Sequence, residues 1–126
     1  MKEQKSKKTS GTPASIREAL KKATTEMLVL FVLRQKPGYT YEMMQSIEQM
    51  SDGKITFNTL YQAIYRLKDF GYIYEKEKVV SEDNRVRIYF DVTETGARYL
   101  QDLIDEYYSF TGAVNQILAQ EDKPND

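Results

Sequence analysis

The chain has 126 residues, 40% of them hydrophobic and 29% charged, with a formal net charge of −1. That length supports one domain with a modest core, and no apolar run is long enough to span a bilayer. Cys and His are both absent, which removes disulfides, thiolate nucleophiles, the common zinc sites and imidazole as a general base.

No catalytic set, metal site or cofactor motif stands out among the carboxylates, Lys, Tyr and Ser that remain, so an enzyme is not expected. Charge is unevenly placed. Lys2, Lys5, Lys7, Lys8, Arg17, Lys21 and Lys22 face only Glu3 and Glu18 at the start. Seven acids after residue 93 face only Arg98 and Lys123. Such asymmetry is a reason to look for a polyanionic partner, although two solvated tails would give the same pattern. The opening MKEQKSKKTSGTPAS precedes no apolar stretch with a cleavage site. No signal peptide is read, no membrane partner is expected, and a cytoplasmic location is.

Residues 1–14 mix Lys, Ser, Thr, Gly and Pro without periodicity and read as a disordered basic arm. Ser15 and Glu18 have capping-box spacing for a first helix, whose apolar face is Ile16, Leu20, Ala23, Met27, Leu30, Phe31 and Leu33. Pro37 ends it. Thr40 is expected to cap a second helix, with Met43, Met44, Ile47 and Met50 buried. Thr56 is expected to cap a third that ends at Gly71. The period then changes to two. Ile73, Val79 and Val80 mark one strand. Val86, Ile88, Phe90 and Val92 alternate with Arg85, Arg87, Tyr89 and Asp91 in the next, across an SEDN turn. Thr93 caps a last helix that runs to about Gln120. Its Leu100, Leu103, Tyr107, Phe110, Val114 and Ile117 form a heptad seam, widened by Ala97, Ile104, Thr111 and Leu118. A second copy of the chain is the expected cover, the alternative being that the helix folds back on its own core.

Three helices and a hairpin with arginines near its tip describe a winged helix-turn-helix. The class is α+β, mostly α, over residues 15–92. A dimerisation helix occupies 93–120 and an acidic tail 121–126. The third helix exposes amides, hydroxyls and a guanidinium where a solvated face usually carries Glu and Lys. Such groups donate and accept at the fixed geometry that reading DNA base edges requires, and hydroxyls and helix N-termini hold phosphates. Thr56, Asn58, Thr59, Tyr61, Gln62 and Arg66 supply that set, with Arg85 and Arg87 on the wing. The plainer reading makes Tyr61 and Tyr65 partly core.

The stretches NTLYQAIYRLKDFGYI and RIYFDVTETGARYL are similar to the T-L-Y…L-x-R-L…G and Y-Y-x-L-T-x-x-G runs of the PadR-like transcriptional regulators, over about Leu20 to Leu118. The resemblance implies a homodimeric repressor bound to a pseudo-palindromic operator in double-stranded DNA. It places Thr59, Tyr61 and Arg66 on recognition-helix positions and Arg87 on the wing. It further implies an effector site at the dimer centre. Tyr107 stands where multidrug-responsive members place a tryptophan, Glu26 and Ile104 match pocket-lining positions, and Leu20 lies on the wall. A carboxylate at Glu26 suits a cationic ligand, and an aromatic ring at Tyr107 suits a flat one. The plainer reading packs Tyr107 in the seam and leaves Glu26 solvated. A wing as poor in positive charge as EDNRVRI keeps another class open, a protein-interaction module that has retained the winged helix without DNA.

Overall fold

In the computed structural model, which describes residues 11–122, six elements follow in order: α1 (Pro13–Gln35), α2 (Thr40–Met50), α3 (Tyr61–Asp69), β1 (Ile73–Val80), β2 (Val86–Val92) and α4 (Glu94–Leu118). The first ten residues of the basic arm and the end of the acidic tail lie outside the described residues. The class expected from sequence holds: four helices and a two-stranded antiparallel sheet in winged-helix arrangement.

One core gathers residues from every element. Val29, Leu30 and Leu33 of α1 meet Met43 and Ile47 of α2, Leu60, Ile64 and Leu67 at α3, Ile73 and Phe90 of the hairpin, and Leu100 of α4. Burying each large aliphatic side chain stabilises by roughly 1.5–3 kcal/mol. This packing is what allows a two-stranded hairpin, marginal alone, to persist. The hairpin also gains a third edge. Gly38, in the loop before α2, exchanges both backbone hydrogen bonds with Phe90, at 3.1 and 2.9 Å.

Several boundaries differ from the sequence expectations, each for a local reason. Helix α1 starts at Pro13, ahead of Ser15. Proline suits the first helical position because its missing N–H has no partner there anyway. The Ser15 hydroxyl instead donates to the Thr12 carbonyl at 2.8 Å. The cap of α2 is Tyr39 and not Thr40, with the Tyr39 N–H reaching Glu42 Oε1 at 3.4 Å. Met50, expected on the buried side, is the last helical residue and is exposed.

Helix α3 begins at Tyr61, five residues after Thr56. The intervening segment is not helical: Ile55 and Phe57 pack against the core while Thr56 and Asn58 face out. A turn at Ser51–Lys54, with positive φ at Asp52 and Gly53, delivers it, and Ser51 Oγ accepts the Ile55 N–H at 2.9 Å. Helix α3 ends as expected. Gly71 takes a left-handed φ of 80°, and the Tyr72 and Gly71 N–H groups close a Schellman motif on the Leu67 and Lys68 carbonyls at 2.9 and 3.0 Å. Across the hairpin Val80 pairs with Val86 and Val79 with Arg87, and a bulge falls between Glu75 and Glu77.

The start of α4 is bound to the end of α3. Thr93 Oγ1 accepts the Gly96 N–H at 3.0 Å and donates to the Gly71 carbonyl at 2.7 Å. The Thr93 N–H donates to the Tyr72 carbonyl at 3.0 Å. Gly96 is required here, because a Cβ in its place would lie 2.0 Å from the Tyr72 carbonyl oxygen.

Candidate nucleic-acid interface

Helix α3 buries Ala63, Ile64 and Leu67 and turns Tyr61, Gln62, Tyr65 and Arg66 outward. Tyr61 and Tyr65 are 57% and 60% exposed, and their rings stack on each other with centroids 6.1 Å apart. They are surface residues and not core. Thr56, Asn58 and Thr59 precede the helix, in the non-helical segment that leads into its N-terminus. Thr59 Oγ1 accepts the Tyr61 N–H at 3.3 Å and thereby does the capping that the sequence reading gives to Thr56.

Between α3 and the hairpin lies a cleft of about 530 Å³. Tyr61, Tyr65 and Lys68 of α3 form one wall, and Arg85, Val86, Arg87 and Ile88 of the wing form the other. Tyr39, Thr40 and Tyr41, at the start of α2, close the end. Sequence reasoning passes over Tyr39, Thr40, Tyr41 and Lys68. Tyr39, Thr40 and Tyr41 reach the cleft because Gly38 pairs with Phe90 and brings the start of α2 beside the wing, a contact too distant in sequence for any spacing to signal; Lys68 is on α3 itself. Tyrosine rings with accessible hydroxyls and cations around a concave floor suit a sugar-phosphate strand.

The cations are differently engaged. Arg87 donates from Nη1 to the Tyr39 hydroxyl at 2.7 Å, with its guanidinium 4.7 Å from the Tyr39 ring centroid. Tyr39 is held from the other side by an edge contact with Tyr89 at 5.3 Å. Withdrawal from water, and then the charge of Glu42, raise the Tyr89 phenol above its ordinary pKa, so Tyr89 stays neutral. Arg85 lies 3.4 Å from Asp83, and Lys68 bonds Glu75 at 2.6 Å. Arg66 turns back from the outer face of α3 to pair with Glu26 on α1. A residue expected to touch DNA and one expected to line an effector pocket are thus bonded to each other. Tyr99, stacked on Tyr72 at 4.3 Å, is raised in pKa by burial and then by the neighbouring Glu26 charge.

The seam of α4 divides. Leu100 is 0% exposed and belongs to the chain's own core, which also partly covers Leu103 and Ile104. The near end of the helix therefore folds back on its own domain. Farther out, Tyr107 is 39% exposed, Phe110 65% and Ile117 68%, with Val114 between them. On α1, Ile16 and Leu20 are exposed as well. The described residues contain no group of His, Cys, Asp and Glu arranged to hold a metal, and no described helix is long and apolar enough to cross a membrane.

Residues 29–102 match the model of the transcriptional regulator PadR-like family. The chain is similar to a solved PadR-family transcriptional regulator from Eggerthella lenta, with 28% identity and a TM-score of 0.72 over 86% of this chain and 93% of that one. A transcriptional regulator from Clostridium thermocellum has 24% identity and a TM-score of 0.68 over 78% and 96%. A PadR-like transcriptional regulator from Bacillus cereus has 19% identity and a TM-score of 0.67 over 82% and 99%; these last two speak to the fold alone. No curated protein sequence matches the chain. Helix α3, the hairpin and the start of α4 all fall within the matched residues, and the chain belongs to the PadR-like family of transcriptional regulators, which are not enzymes.

Proposed function

We propose that the protein is a homodimeric, sequence-specific DNA-binding repressor. The observation that carries the reading is the cleft between α3 and the wing, lined by Tyr61, Tyr65, Lys68 and Glu75 on one side and Arg85 and Arg87 on the other. In this reading Asn58, Thr59, Tyr61 and Gln62 enter the major groove, and the strand bordering that groove lies in the cleft against Tyr39, Tyr65 and Arg87. Thr56 fronts the N-terminus of α3 beside phosphate. Arg66 and Arg85 reach DNA by exchanging Glu26 and Asp83 for phosphate.

The far half of α4, over Tyr107, Phe110, Val114 and Ile117, pairs with its copy, joined by Ile16 and Leu20 of α1. Exposed apolar side chains in a continuous stripe are what a partner helix covers. Two α3 helices then meet successive grooves of a pseudo-palindromic operator. A flat aromatic or cationic effector between the two copies, against Tyr107, Ile104, Leu20 and Glu26, would release DNA by favouring a different spacing of the two α3 helices.

The test begins with selection of binding duplexes from a random library by the full chain. Fluorescence polarisation on a selected and a scrambled duplex follows, with sedimentation equilibrium for the dimer. Discrimination between the duplexes with a steep salt dependence is expected. Equal, weak binding at every salt concentration would remove the reading. One observation favours the alternative of a protein-interaction module: the hairpin carries Glu75, Glu77, Glu82, Asp83 and Asp91 against Lys76, Lys78, Arg85 and Arg87, and so is slightly acidic.

A further inference from the structure

Both cations of α3 and two of the four on the hairpin are compensated: Arg66, Lys68, Lys76 and Arg85 each have a carboxylate at ion-pair distance, as does Arg98 on α4. Among the described residues, Lys78 and Arg87 of the hairpin have none, nor does a group at the other end of the domain. Arg17 and Lys21 lie four residues apart, hence on one face of α1. Arg17 Nη1 donates to the Lys54 carbonyl at 2.8 Å, and Lys21 Nζ sits 5.2 Å from the centroid of the Phe57 ring. The Arg17 and Lys21 side chains are therefore brought to the turn and segment that lead into α3, and Lys54 belongs to that turn. Glu18 and Asp52 are neighbours in sequence, but neither forms an ion pair with the group.

Among the described residues, no carboxylate pairs with any of the three, although Asp52 lies on the turn that carries Lys54 and Glu48 in the last turn of α2 before it. A backbone carbonyl and an aromatic face hold two of the three side chains in place, and both leave the charge unspent toward an outside anion. The location narrows the anion. Phe57 immediately precedes Asn58, at the front of α3. None of the three residues lines the cleft. In sequence, the chain ahead of α1 adds Lys2, Lys5, Lys7 and Lys8 against Glu3.

We infer that Arg17, Lys21 and Lys54 form a second phosphate-binding site for DNA, separate from the cleft, and that it takes backbone phosphate beyond the groove that α3 enters. The inference rests on the DNA-binding reading above. It adds a sequence-independent attraction at the α1 edge of the domain to the one that Arg87 supplies on the wing.

The test compares the full chain with an R17Q/K21Q/K54Q variant on the selected and scrambled duplexes across a salt series. Arg17 and Lys54 are exposed and Lys21 is half-buried against Phe57, so thermal unfolding is expected to change little and serves as the folding control. Each phosphate contact contributes about 0.9 to the slope of log affinity against log salt, so loss of all three lowers the variant's slope by about 2.7 and its affinity at least about tenfold on both duplexes. The preference for the selected duplex stays constant, because phosphate contacts carry no sequence information. An unchanged slope in the variant, with wild type binding normally, overturns this site and leaves the DNA reading intact. So does a lost preference at unchanged slope. Failure of the wild type to bind either duplex overturns both.

Discussion

Replacing Gly96 by Ala should destabilise the protein, although alanine is the better helix former. Intrinsic preference favours the change by about 1 kcal/mol. Against it, the new Cβ would stand 2.0 Å from the Tyr72 carbonyl oxygen, 2.8 Å from its carbon and 2.9 Å from Val92 Cγ2. Two of these three atoms are backbone, so no rotamer change relieves the overlap. Overpacking of this kind costs about 1–3 kcal/mol, and the rigid neighbour puts it at the upper end. The shift also lengthens the bonds from the Thr93 N–H to Tyr72 and from Thr93 Oγ1 to Gly71, each contributing about 1 kcal/mol. The balance is a net loss of about 3 kcal/mol, or a fall in melting temperature of about 10 °C for a chain of this size. Thermal and urea unfolding at fixed protomer concentration measure it. Gly112 on the same helix is the internal control, since a Cβ there meets nothing within 4 Å, and Gly112→Ala should stabilise by roughly 0.5–1 kcal/mol. A Gly96→Ala variant as stable as wild type would refute the close-approach argument.

Arg87→Ala should weaken binding to all duplexes and flatten the salt slope by about 1; an unchanged slope takes Arg87 out of the interface. Glu26→Gln removes the partner that holds Arg66 back, so affinity for scrambled as well as selected DNA should rise; no change would mean that Arg66 stays on the α1 side in the complex. Phe110→Glu with Ile117→Glu should convert the dimer to monomer in sedimentation equilibrium with the fold intact by circular dichroism, whereas a persistent dimer would place the interface elsewhere. Lys68 hydrogen-bonds Glu75 and holds its carboxyl below the ordinary value of 4.5. Such a group stabilises above its unfolded pKa and ceases to as pH falls through its lower folded value. The hydrogen bond to Glu75 raises Lys68 above 10.5, so its contribution fades only as pH climbs past that. Glu75→Gln should therefore leave stability nearly flat between about pH 6 and 9, where an exposed pair contributes little, and soften the acid limb below pH 4.5. A steeper acid limb in the variant would contradict the assignment.

What the sequence disclosed and what it concealed follow from range. Pro37, Gly71 and Thr93 act within a turn of themselves, and each stops or starts its element as expected. The hairpin is legible because residues 86–92 alternate without interruption. Thr56 misled because a capping residue is only a local option. Ile55 and Phe57 pack against a core assembled from distant residues, and the helix starts only at Tyr61. The same reason hides the site's electrostatics. Arg66 finds Glu26 and Arg87 finds Tyr39 across 40 and 48 residues, separations at which no spacing rule operates. Leu100 and Phe110 look alike in a heptad, yet one is sealed inside the domain and the other is open. Only the position at which α4 leaves the domain separates them.

The joint at Gly71, Tyr72, Thr93 and Gly96 has a mechanical consequence. Helix α4 has 25 residues, about 37 Å at roughly 1.5 Å per residue. Its first turn is clamped to the end of α3, so the two swing as one body. A tilt of about 5° at that clamp displaces the far end of a helix of this length by about 3 Å. In the proposed dimer, a small change where two α4 helices cross would set the angle at which each α3 is presented. The long helix is then a lever arm whose fulcrum is one glycine against one carbonyl.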